Sequence, residues 1–472
     1  MIEKLRLTNY KGFKSLNISL SKLNLIIGKN NSGKSTIIDA LFDFSNLFRN
    51  YGESESYFTL GDDSLLNKTN DNYTNYLSIG FDFKNKRLFD GLIHIDYVFK
   101  KNEFDAKLYP NYRIITYGFD PRITIIEFFD SEKKLPIPSE ISYTHNNFDA
   151  YKISQTQDFM IFVNKIEIID FNLLYRSSSQ SGLAKLKYGF KKNEQSLSDT
   201  EYQKFIEKNH LEKYNTPIEY INKILIGLNN IEDLFFEFNQ YFSKILVFKP
   251  TRGPRVKYID QIGIIPKHPS DDLGESLGNL LLYNADKYQR LAKPLNKFKV
   301  DNLVSKLSEI QSENANQSKI AIVYRDEDAG VLPITNLGSG SRQVSELISW
   351  LELIDDYNLV LVEEPEIHLD PINQASIMNY LVEKSKVAQL IITTHSEHIL
   401  TRLQILIALN KEINVSDLSI LYLSKNDQGF KVENIYLNKD GTFPNGLDHF
   451  LSHSQREQSR LLDAWAGKEI EF

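Results

Sequence analysis

Residues Gly28-Lys-Asn-Asn-Ser-Gly33-Lys34-Ser35 constrain this chain more than any other segment. They fit the spacing G-x-x-x-x-G-K-[ST] and follow the apolar run Leu23-Asn-Leu-Ile-Ile27. The helical pattern Ile37, Ile38, Leu41, Phe42 comes next. A strand, a glycine-rich turn and a helix start in this order form an anion site. Gly28 and Gly33 let successive backbone N–H groups turn inward, and the helix from Lys34 adds its positive dipole end. Gly28, Lys29, Asn30, Asn31, Ser32, Gly33, Lys34, Ser35 and Thr36 are therefore expected around the phosphates of a nucleoside triphosphate. Lys34 would reach the β- and γ-phosphates, and the Ser35 hydroxyl would ligate Mg²⁺.

A phosphate loop needs an acidic partner. Leu359-Val-Leu-Val-Glu363-Glu364-Pro365 is an apolar run that stops at two carboxylates. Such runs read as parallel strands buried on both faces, and ligands collect at the carboxyl ends of those strands. Glu363 is the expected metal residue, and Glu364 the expected general base for an attacking water. The run Gln389-Leu-Ile-Ile-Thr393 leads to His395, which is placed to donate to a γ-phosphate oxygen or hold the water. Asn336-Leu-Gly-Ser-Gly-Ser-Arg-Gln343, before a second helical pattern, makes another anion nest. One phosphate chain does not need two nests from one subunit, so this turn is expected to close over a nucleotide held by another copy. Taken alone, it also reads as an ordinary capped helix start.

These segments, in this order, resemble the ABC-type ATPases of the SMC, RecF and OLD group, over roughly residues 1–50 and 245–450. The resemblance identifies Gly28 to Ser35 with Walker A, and Leu337 to Gln343 with the signature motif. Leu359 to Glu364 is similar to Walker B, Ile367-His-Leu-Asp370 to the D-loop, and His395 to the switch histidine. The opening Ile2 to Lys14 resembles the first strand and the loop that touches the base, which brings in Lys11 and Phe13. The likeness implies ATP and Mg²⁺ as cofactors and Glu364 and His395 as catalytic residues. It also implies Ser35 and Glu363 at the metal. Gly338, Ser339, Gly340, Ser341, Gln343 and Asp370 would reach a partner's ATP in a head-to-tail pair. The signature departs from the usual Leu-Ser-Gly-Gly-Gln, Walker B ends Glu-Glu as in OLD-like members, and no Q-loop glutamine is evident.

The implied fold is α/β: an ABC-type P-loop ATPase head with an antiparallel β lobe and a short helical insertion. Residues 1–175 are expected as an N-terminal lobe and 176–313 as a loop and helical insertion. Residues 314–472 are expected as the C-terminal lobe. Within the insertion, residues 176–200 read as a polar loop, residues 200–245 and 270–313 show helical spacing, and 249–257 form the densest basic loop. That loop has the chemistry to touch the nucleotide, an intersubunit carboxylate or a phosphate backbone. Tyr and Phe at period two between 75 and 170 indicate strands.

The chain has no cysteine, which excludes disulfides and the Cys-x-x-Cys zinc hook of double-strand-break repair relatives. Its net charge is −7, so a whole-chain basic footprint for DNA is absent. Neither a signal peptide nor an apolar span is visible, so a cytoplasmic protein without a membrane partner is expected. The 77 residues after His395 contain no Asp-x-Asp pair for a nuclease of the OLD type. The expected role is a sensor or switch ATPase of a bacterial anti-phage defence system, similar to the PARIS and Septu ATPases. It would be a homodimer or higher homo-oligomer with a separate effector, a nuclease, and a phage-derived trigger. Alternatives are a RecF-like repair ATPase that binds DNA itself, and an ATP-binding scaffold without turnover.

Overall fold

The computed structural model describes residues 1–49, 60–67, 75–84, 92–117, 122–129, 136–145, 148–154, 174–177 and 184–187 of the N-terminal half. Beyond these it describes 237–250, 259–260, 275–312, 315–326, 328–409, 412–426 and 429–444. Two compact units emerge: Met1–Ser19 with Ala40–Ser243, and Leu20–Asp39 with Lys244–Phe472. This division differs from the expected boundaries at 175 and 313. The helix Lys34–Arg49 crosses from one unit to the other between Asp39 and Ala40.

The first unit is built on an antiparallel sheet. From one edge its strands are Phe148–Ser154, Pro136–His145, Arg122–Phe129, Lys107–Tyr117, Leu92–Lys101, Tyr76–Lys84, Ile2–Tyr10 and Phe13–Ser19. Apolar residues alternate in Leu92–Lys101, where Ile93, Ile95, Tyr97 and Phe99 are buried and the residues between them are not. That period of two is what a sheet with one packed face requires. The packed face meets Phe44 from the helix and Phe238 and Phe242 from the helical segment 237–243. Phe44 and Phe81 lie 4.7 Å apart by ring centroids, and Phe81 and Phe242 4.9 Å. The aromatic residues of this region therefore build a core.

The other face of the three central strands carries a charge ladder. Register aligns Lys4, Asp82 and His94 in one row, and Arg6, Gly80 and Asp96 in the next. Arg6 donates from Nε to Asp96 at 3.0 Å, from Nη1 to Asp82 and from Nη2 to the Phe81 carbonyl at 3.1 Å. His94 Nδ1 is 2.7 Å from Asp82 Oδ1. Gly80 makes the ladder possible, because a Cβ there would stand 1.7 Å from Asp96 Oδ1.

The second unit holds a six-stranded sheet in the order Ile245–Phe248, Leu359–Glu363, Gln389–Thr394, Leu23–Gly28, Leu418–Asn426, Gly429–Ile435. The first five strands run parallel and the last antiparallel. Every residue of Leu23–Gly28, Leu359–Glu363 and Gln389–Thr394 is buried, as expected where helices cover both faces. The helices Ser339–Leu353, Pro371–Lys384 and Glu397–Ala408 supply apolar partners, among them Trp350, Leu381 and Leu403. Among the described residues no helix is long and apolar enough to cross a membrane.

Two expectations need correction. Among the described residues of 270–313, α-helix covers Glu275–Tyr283 and Gln289–Asn296, with a short 3-10 turn at Ala285–Lys287, whereas Asp301–Ser312 is a strand paired with Ala315–Asp326. Leu303, Val304, Leu307 and Ile310 have helix-like spacing, but the long cross-strand partner overrides that local pattern. Residues 174–177 and 184–187 form a two-stranded ladder where a loop was expected to begin. The remainder of that loop, and the expected helices between 200 and 236, lie outside the described residues.

Burial opposes the charge on Asp82, but hydrogen bonds and charge from Arg6 and His94 outweigh it and hold this carboxyl below the usual aspartate range. A depressed folded-state pKa contributes stability that is complete above the unfolded value of about 3.9 and is lost as pH falls through the folded value. Asp82→Ala is expected to cost on the order of 3 kcal/mol, short of the largest buried-pair losses because the Arg6 side chain is 25% exposed. Urea unfolding at pH 7 and at pH 3 measures this, and the wild-type advantage should shrink at the lower pH.

Candidate functional site

Parallel register brings the chemistry-bearing residues to one end of the second unit's sheet. Thr393 pairs with Ile26 and Glu363, and Thr394 with Ile27, so the chain leaves three neighbouring strands at Gly28, Glu364 and His395. Gly28 has φ 152°, and a Cβ there would lie 2.2 Å from the Leu423 carbonyl of the next strand. Asn31 and Gly33 also have positive φ, 60° and 93°, and the helix starts at Lys34. Lys29, Asn30, Asn31 and Ser35 are exposed, while Gly33 and Thr36 are half-buried.

Two features of this loop fit a phosphate. The Ser32 hydroxyl is buried and has no hydrogen-bond partner among the described residues. Lys34 is buried and folds back, donating from Nζ to the Gly28 and Lys29 carbonyls, each at 2.9 Å. Burial lowers the Lys34 pKa to about 8, against the opposing pull of Glu364 and Glu366. A triphosphate would supply the counter-charge that the carbonyls do not.

Glu363 is 4% exposed and accepts from Lys249 Nζ at 2.8 Å. Glu364 turns the chain out of the strand with a left-handed φ of 46°, its N–H donating to the Thr393 carbonyl at 2.9 Å. Such a conformation in a non-glycine residue costs about 1–3 kcal/mol and gathers at functional sites. Glu364 Oε1 lies 3.2 Å from His395 Nε2. Burial and the Lys34 charge lower the His395 pKa, opposed by Glu364. The imidazole is therefore neutral at pH 7, and this spacing suits Nε2–H donation to Glu364. Among the described residues no group of three or more His, Cys, Asp or Glu side chains forms a metal cage. Mg²⁺ commonly takes one or two carboxylates together with nucleotide phosphates, and Glu363 with the Ser35 hydroxyl has that chemistry.

Sequence reading missed Glu366. Its buried carboxylate accepts from Thr394 Oγ1 at 2.6 Å and from the His395 N–H at 2.7 Å. Burial raises its pKa in spite of those bonds. Glu366 thus holds the backbone of His395 while Glu364 faces its ring. Nothing in the spacing of Glu363, Glu364 and Glu366 distinguishes their roles; only the turn after the strand does.

The second nest is a helix start. Ser339–Leu353 begins after its N-cap Gly338, which has no side chain with which to cap it. Ser339 and Ser341 are half-buried, and the space where a Gly338 Cβ would sit is open. Gly340 packs on the turn after Glu364, where a Cβ would stand 2.4 Å from the His368 carbonyl. Gln343 does not face outward with this turn: it is 6% exposed and gives Nε2 to the Pro250 carbonyl at 3.1 Å. Asp370 caps its own helix, accepting from the Ile372 and Asn373 N–H groups at 3.0 and 3.1 Å. Lys11 and Phe13 belong to the first unit. Lys11 has φ 47° in the turn between the first two strands, and the Phe13 ring is 1% exposed, so core packing occupies it.

Lys34 yields a pH expectation. A group whose pKa is about 8 when free and higher when paired with phosphate takes up protons on binding, about half a proton at pH 8. Affinity for ATP should therefore fall as pH rises through 8, and calorimetry in buffers of different ionisation enthalpy reads the proton directly. Gly340→Ala should lower stability despite alanine's better helix propensity, since the obstructing atom is backbone. Gly338→Ala should stay within about 0.5 kcal/mol of wild type in the same denaturation experiment.

No curated protein matches the sequence. Solved structures similar to this chain include an Smc head bound to the C-winged helix domain of ScpA. It is 15% identical, with 93% of this chain and 98% of that chain covered and a TM-score of 0.41. An Smc head domain with an extended coiled coil, bound to the C-terminal domain of ScpA and derived from Pyrococcus furiosus, is 14% identical. It covers 98% of this chain and 99% of its own, with a TM-score of 0.38. The SMC head domain from Thermotoga maritima is 12% identical, covers 92% and 99%, and has a TM-score of 0.36. The family model described as AAA ATPase domain (AAA_15) matches residues 1–400, most of the chain, and the protein belongs to that ATP-binding ATPase family.

Proposed function

We propose that this ATPase is a switch in which ATP joins two copies of the chain head to tail and hydrolysis releases them. One observation carries the reading. The second unit holds the loop Gly28 to Ser35 beside Glu364 and His395, and also a separate helix start at Gly338 to Ser341 whose N-cap is a glycine without a capping side chain. The first group satisfies one triphosphate, and the second is left for a partner's.

In this reading Lys34 and the loop N–H groups bind the phosphates, and Ser35 with Glu363 would hold Mg²⁺. Bound there, the metal supplies neutralising charge to the phosphate oxygens. Glu364 orients the attacking water and takes its proton, and neutral His395 donates toward the γ-phosphate. Ser339 and Ser341 extend toward the partner's nucleotide, and Asp370 stands at the opposed D-loop. The biological role follows from the resemblance to OLD-like ATPases: a sensor subunit of bacterial anti-phage defence that controls a separate effector, a nuclease.

Glu364→Gln should lower turnover by about 10²–10⁴-fold while retaining ATP. By light scattering with ATP and Mg²⁺ its mass should at least double, and Lys34→Ala should remain unchanged. A Glu364→Gln chain that binds ATP without any gain in mass would sink the two-copy switch. Affinity purification of this variant from its host then tests the setting: a stoichiometric nuclease supports it, and copurified DNA without a protein partner counts against it.

A further inference from the structure

Lys249 follows the edge strand Ile245–Phe248, which runs parallel to Leu359–Glu363 with Phe248 opposite Val362. Its ammonium therefore stands level with Glu363. Nζ is 2.8 Å from Glu363 Oε1 and 2.7 Å from Asp39 Oδ1. Asp39 lies four residues after Ser35 on the helix Lys34–Arg49, one turn along the same face. The Glu363 side chain is almost fully buried, and those of Lys249 and Asp39 are about seven-tenths so. One lysine thus bridges the expected metal carboxylate and the acid one turn beyond the expected metal hydroxyl.

This is a cation site with a resident cation. An ammonium that donates to two carboxylates at these distances forms charge-assisted bonds. It also removes the repulsion those carboxylates would otherwise exert on each other. A divalent ion that took an oxygen from the same pair would face a positive charge at contact range, which is strongly unfavourable in a shielded site.

We propose that Lys249 is a tethered counter-cation that occupies the Asp39–Glu363 pair in the nucleotide-free chain and yields it when Mg²⁺ arrives with ATP. The displacement step rests on the nucleotide reading above. It gives Lys249 a function in cis: this side chain keeps the two carboxylates neutralised and closed to free divalent ions until a triphosphate brings enough negative charge to hold both cations.

The test uses the full-length chain without nucleotide and Mn²⁺ as the probe, read by electron paramagnetic resonance of the free ion. Wild type should bind Mn²⁺ weakly. Lys249→Met should bind about tenfold more tightly or better, because the carboxylate pair has lost its cation. Lys249→Arg should resemble wild type, and adding Asp39→Asn to Lys249→Met should abolish the gain. If Lys249→Met does not fold, Lys249→Gln carries the same expectation. Equal Mn²⁺ affinities for wild type and the neutral variants, or an equal gain in Lys249→Arg, would overturn the proposal. ATP binding is followed separately with a fluorescent analogue and Mg²⁺. Its absence in wild type would overturn the nucleotide reading and the displacement step with it. Equal Mn²⁺ affinities with ATP binding intact would overturn the role of Lys249 alone.

Discussion

Parallel backbone pairing among four apolar strands is the constraint on which the second unit depends. Ile245–Phe248, Leu359–Glu363, Gln389–Thr394 and Leu23–Gly28 share a register that ends them together. Hydrogen bonds in a fully buried sheet leave little freedom to slip, since every peptide group must find a partner. Lys249, Glu364, His395 and Gly28 emerge at the same sheet end because their strands cannot do otherwise. Asn24, buried inside the central strand, reinforces this by donating to the Leu390 carbonyl at 2.9 Å.

The cost of that convergence is charge in a shielded place. Lys34, Lys249, Glu363, Glu364, Glu366 and His395 lie around one sheet end, and none is relieved by bulk water alone. The chain compensates locally. Backbone carbonyls hold Lys34, carboxylates hold Lys249, and a hydroxyl and an N–H hold Glu366. Burial lowers the Lys34 pKa to about 8 and also lowers that of His395, so a bound phosphate would restore the lysine's full charge. The arrangement comes at the expense of a left-handed Glu364 and a buried Ser32 hydroxyl without a partner among the described residues.

Contacts at the start of Ser339–Leu353 tie this helix to the rest of the unit. Gly340 lies against the His368 carbonyl, and Gln343 holds the Pro250 carbonyl one residue past Lys249. The start of Ser339–Leu353 is thus touched by the turn after Glu364 on one side and by the Lys249 segment on the other.

The linear chain carried the local signals. Gly28 to Ser35 announced a strand, a turn and a helix, because only glycine tolerates Gly28's approach to the next strand. The runs ending at Glu363 and Thr393 announced buried parallel strands, because nothing polar interrupts them. Tertiary structure decided what those residues do with one another. Gln343 was read as part of an outward-facing nest and is turned inward by a carbonyl distant in sequence. Phe13 was read as a base contact and is consumed by a core. Asp301–Ser312 had helical spacing and became a strand once Ala315–Asp326 offered it a ladder. Asp39 and Glu366 carried no recognisable motif, and Lys249 stood out only as the start of a basic loop with its partner unmarked, since a hydrogen bond between remote side chains leaves no periodicity in sequence. Spacing along the chain determines secondary structure and nearby backbone shape; which charge meets which is determined only when strand register brings distant segments together.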